Sequence, residues 1–74
     1  MNESKIRVIM MSVEFANPAQ KLEIGAYGTE DAENYFVEQT DYDSGARYFV
    51  VKDVTFLQAR VAYANAVLAA ANAK

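Results

Sequence analysis

The sequence predicts a small α+β domain: an antiparallel β-sheet of three or four strands packed against a long C-terminal α-helix. Three observations lead there. Residues 6–15 and 47–52 are dense in β-branched and aromatic side chains, the composition of strands. Residues 22–27 alternate apolar and polar, as a half-buried strand does. Residues 56–72 run without glycine or proline and are rich in alanine, the strongest helix former. Seventy-four residues make one domain, residues 1–74, too small to enclose a deep pocket in its own bulk.

The first strand is IRVIMMSVEF, residues 6–15. From Ile9 onward it alternates cleanly, with Ile9, Met11, Val13 and Phe15 on one side, whereas Ile6 and Val8 fall on the other. That change of phase near Val8 predicts a β-bulge or a strand covered on both faces. Residues 16–20 (ANPAQ) form a turn, because proline cannot continue a ladder. The second strand then places Leu22, Ile24 and Ala26 inward and pairs with the first as a hairpin.

Residues 28–45 (GTEDAENYFVEQTDYDSG) admit two readings. Thr29 followed by Glu30 and Asp31 resembles a helix cap with acids in the first turn, and Ala32, Tyr35, Phe36 and Gln39 share a face at helical spacing. YFVEQT instead has strand propensity and can pair with residues 46–53 across the turn at Tyr42-Asp43-Ser44-Gly45. The cap at Thr29 favours the helix. Residues 47–52 (RYFVVK) follow as a strand.

The last helix opens on a capping box, Thr55-Phe56-Leu57-Gln58, with Asp53 as an alternative cap. At ~100° per residue, Leu57, Val61, Ala64, Leu68 and Ala71 form a narrow stripe, expected to be the core face. Phe56, Tyr63 and Val67 make a second apolar stripe, and Gln58, Asn65 and Asn72 lie on the other flank. Ala59, Ala62, Ala66, Ala69 and Ala73 cover the side opposite the core stripe. Their small size would let a second helix approach closely. Phe56, Ala59, Ala62, Tyr63, Ala66, Val67 and Ala69 are therefore the residues expected to mediate self-association, as a homodimer.

Charge is unevenly placed. Between Leu22 and Ala46 there are seven acids and no base, although the whole chain carries a net charge of only −3. Within that stretch Glu30, Asp31, Glu33, Tyr35, Glu38, Asp41, Tyr42 and Asp43 form an acidic, tyrosine-bearing surface suited to a basic protein partner. Phosphate would be repelled there, so direct binding of nucleic acid is disfavoured. The strand RYFVV lacks the basic, glycine-containing motif of RNA-recognition modules.

Catalysis and cofactors find little support. Histidine and cysteine are both absent, which removes the usual base near neutral pH, a thiolate nucleophile and the commonest metal ligands. Asp41-Tyr42-Asp43-Ser44-Gly45 begins like a calcium loop, but the later oxygen ligands and the closing glutamate are missing. No cofactor or metal is expected. The longest uncharged run, residues 61–73, is shorter than the roughly 20 residues of a membrane span, so no membrane role is expected. The N-terminus mixes acid and base without the layout of a signal peptide, and a cytoplasmic setting follows.

The function expected is that of a non-enzymatic interaction protein, a small acidic regulator or inhibitor of a larger basic protein. Phage and mobile-element accessory factors provide an analogy of size and charge, which would place it in a host cytoplasm. A homo-oligomeric assembly subunit is the alternative, followed by a nucleic-acid-binding protein.

Overall fold

A computed structural model describes residues 7–28 and 33–72. Four strands and one helix follow in order: β1 (Arg7–Ala16), β2 (Ala19–Tyr27), β3 (Tyr35–Asp41), β4 (Arg47–Val54) and α1 (Phe56–Asn72). The strands form one antiparallel meander in the order β1-β2-β3-β4, and α1 lies across one of its faces.

β1 and β2 join through a tight turn containing a cis Asn17–Pro18 peptide. Their register shifts between Ile9 and Met11, which leaves Met10 as the extra residue of a β-bulge. The bulge lies slightly beyond the position indicated by the alternation of side chains. Ile9 pairs with Gly25 and faces away from the helix, while Met11 pairs with Ile24 and faces toward it. Gly25 is buried there because no larger residue fits. A Cβ would lie 2.4 Å from the Val8 carbonyl oxygen and 3.0 Å from the Phe36 ring.

The segment for which a helix is favoured in the sequence is strand β3, which is a correction. Tyr35, Phe36, Val37 and Glu38 are consecutive buried residues, so both faces of the strand are covered. A helix has one such face; a central strand has two. Pairing with β2 on one side and β4 on the other satisfies both backbone edges of this segment. Thr29, Glu30 and Asp31, the expected cap, lie outside the described residues.

β4 carries two irregularities, at Val50 and Asp53, where single residues lack a partner on β3. Asp53 adopts a left-handed conformation with φ 57°, which a short polar side chain tolerates. It turns the chain into α1, and the helix cap is Thr55. The Thr55 hydroxyl accepts the Gln58 N–H at 3.1 Å, and the Thr55 N–H donates to Gln58 Oε1 at 2.9 Å.

The core lies between sheet and helix. Ile24, Ala26, Tyr35, Val37 and Ala59 form its centre, with Val51, Val54, Ala62 and Tyr63 packed around them. Volume comes from the sheet and closeness from the helix. Bulky strand side chains meet alanines, which lets the helix backbone sit near the sheet. The orientation of α1 reverses the one expected from sequence. Ala59 and Ala70 are buried against the sheet, while Leu57, Val61 and Leu68 of the supposed core stripe are 69%, 53% and 60% exposed.

Candidate functional site

The open face of the sheet is the first place to look for chemistry. Its cations are Arg7, Lys21, Arg47 and Lys52, each of which has its register partner on that face. Glu38 is buried beneath them and is bonded by Arg7 Nη2, with Arg47 Nη2 at 3.4 Å. Lys21 Nζ lies 3.6 Å from Glu23. Phe36 is fully buried under the Arg7 guanidinium, 4.8 Å from its ring, and between Tyr27 and Phe49 at 4.9 and 5.8 Å. Lys52 Nζ stands 5.2 Å from the Phe49 ring. A shallow depression of about 400 Å³ lies among Arg7, Lys21, Glu23 and Arg47. Three of these cations already have a carboxylate partner, Arg7 and Arg47 sharing Glu38. The cluster closes the uncovered side of the sheet in place of a second helix.

The acidic candidates do not form one surface. Tyr35 and Glu38 are both buried and face opposite sides of β3. The Tyr35 ring packs on Phe56 at 5.1 Å, beneath the helix. Asp41 is partly buried and holds the β3–β4 turn: its Oδ1 accepts the Asp43 N–H at 3.0 Å and its carbonyl accepts the Gly45 N–H at 2.7 Å. Gly45, at φ 79°, supplies the conformation that turn requires. Glu33, Tyr42 and Asp43 are exposed. Tyr42 donates its hydroxyl to Glu14 at 3.1 Å. Partial desolvation and that carboxylate hold the Tyr42 pKa above its ordinary value. Glu30 and Asp31 lie outside the described residues.

The residues expected to mediate self-association are largely occupied within the chain. Ala59 is buried in the core, Ala62 and Tyr63 pack against it, and Ala66 and Val67 are half-buried. Burial raises the Tyr63 pKa above its usual value. Phe56 and Ala69 remain exposed, with the Arg60 guanidinium 5.7 Å from the Phe56 ring.

A continuous open apolar surface lies elsewhere on the helix. It runs along the outer face of α1 through Leu57, Val61, Ala64 and Leu68. Beside it, Met10, Met11, Phe56 and Tyr63 border a groove of about 270 Å³ between β1 and the helix. The spacing of the stripe carried a signal that pointed to this surface. Leu57, Val61, Ala64 and Leu68 recur at intervals of four, three and four, the narrow seam of a helix pair. A helix packed on a sheet ordinarily has a broader apolar stripe.

Among the described residues, no helix is long and apolar enough to cross a membrane. The fold and these surfaces define a small α+β protein with a four-stranded meander, one covering helix and an apolar outer helix face. Compared with protein-family models, curated proteins and solved structures, the chain matches none.

Proposed function

We propose that the protein is a non-enzymatic interaction module, an assembly subunit that works by protein–protein contact through the outer face of α1. One observation carries this role: Leu57, Val61 and Leu68 keep more than half of their surface open on a helix whose opposite face is already buried. A contiguous exposed apolar patch is the usual mark of an interface. The lack of histidine and cysteine supports binding over catalysis, and a cysteine-free chain fits a cytoplasmic setting.

A photo-crosslinking residue in place of Val61 tests the role. Irradiated in cells expressing the chain, it is expected to form covalent adducts with protein, whereas the same residue at exposed Asn17 in the hairpin turn is not. Equal or absent yields at the two positions would remove the proposal.

The end of the sheet near Tyr42 favours a second role, that of a regulator or inhibitor of a larger basic protein. There an exposed aromatic side chain lies beside Glu14 and is flanked in sequence by Asp41 and Asp43. Carboxylates around an accessible tyrosine steer and anchor a cationic partner. Calorimetric titration with a lysine-rich peptide should show binding that weakens with added salt and with Tyr42→Ala. Binding unmoved by both changes contradicts this second role.

A further inference from the structure

Building on the outer face of α1 as a contact surface, we infer that its occupant is a second copy of this chain, paired through an antiparallel two-helix seam. Leu57, Val61, Ala64 and Leu68 occupy alternating a and d positions of a heptad, the arrangement that packs knobs into holes. They point directly away from the sheet, opposite buried Ala59 and Ala70. A second copy therefore reaches them without meeting the sheet, and the assembly is layered sheet–helix–helix–sheet.

The stripe is complementary to itself in one register. Antiparallel pairing sets Leu57 against Leu68 of the second copy and Val61 against its Ala64. A two-fold axis repeats both pairs, giving bulky layers at the ends and bulky-on-small layers in the middle. The flanks agree: Gln58 falls near Asn65 of the second copy, and Arg60, the only charge on α1, falls near its Val67. Parallel pairing would instead stack Ala64 on Ala64 between larger layers and leave a void.

Size also fits. Leu57, Val61 and Leu68 each expose on the order of 100 Å². With Ala64 and the flanking side chains they make a small seam, the scale of a concentration-dependent contact. The edges of the sheet compete poorly as contact sites. β1 is interrupted by its bulge at Met10 and β4 by irregularities at Val50 and Asp53, and such breaks blunt edge-to-edge pairing.

Sedimentation of the purified chain from about 1 μM to about 1 mM should show the mass rising from 8.2 kDa toward twice that value. Val61→Glu should weaken association at least tenfold and leave the circular dichroism of the fold intact. Because the chain has no cysteine, a disulfide trap reports the register directly. Chains carrying Val61→Cys and Ala64→Cys, mixed and mildly oxidised, should form mainly the mixed 61–64 disulfide. A dominant symmetric 61–61 disulfide overturns the antiparallel arrangement, and a monomer at every concentration overturns the pairing altogether. If that monomer still yields adducts with a different protein from position 61 in cells, only the second copy is excluded as occupant. If it yields none, the interaction role fails as well.

Discussion

Gly25 shows how closely the two faces of the sheet are coupled at one residue. It pairs with Ile9 beside the β1 bulge on one side and with Phe36 on β3 on the other. Phe36 is buried on a face without a helix because its ring lies over this glycine, with Arg7 above and Tyr27 and Phe49 beside it. Gly25→Ala would drive a methyl group into the Val8 carbonyl, a backbone group with little freedom to retreat. We expect a loss of about 1–3 kcal/mol, seen as a fall of several degrees in melting temperature. An unchanged melting temperature would show that β1 does not lie against Gly25 in solution. Glu38 repeats this coupling in charge. Its sequence neighbourhood marks it as surface acid, but the fold places it under two arginines contributed by β1 and β4.

The elements differ in how far the sequence disclosed them. β1, β2 and β4 were legible because their composition and alternation agree with their surroundings, and α1 was legible from its capping box and unbroken run of helix formers. β3 was misread because it lies mid-sheet with both faces covered. Consecutive apolar residues then lose the period of two, and Tyr35 and Phe36 fall by chance at helical spacing with Ala32 and Gln39. The face of α1 was misread for a different reason. Ranking by hydrophobicity assigns Leu57, Val61 and Leu68 to the core, whereas packing against a sheet already filled by Leu22, Ile24, Tyr35 and Val37 rewards small residues. Steric room overrode hydrophobicity. The sites follow the same pattern. Exposed Tyr42 and Asp43 keep the surface position given by their turn, while Tyr35 and Glu38 are withdrawn from the surface by pairings distant in sequence.

At the scale of the whole molecule, the two faces of the sheet are closed by different means. One is covered by the alanine side of α1, the other by aromatic rings under arginine and lysine side chains. Among the described residues, the depressions beside these coverings are open ones. The outer side of α1 remains apolar and open, as do Val8, Ile9, Met10 and Met11 on β1, and no acid interrupts that helix. Its inner face serves the fold, and its outer face is the one we propose for association. The direct test is a pair of substitutions, Ala59→Glu and Val61→Glu, compared by thermal unfolding at low micromolar concentration, where the proposed pairing is expected to dissociate. Ala59→Glu buries a charge beneath the helix and should abolish cooperative unfolding, while Val61→Glu should melt within a few degrees of the unmodified chain. The opposite order, with Ala59→Glu tolerated and Val61→Glu unfolded, would contradict the account by placing the leucine stripe against the sheet.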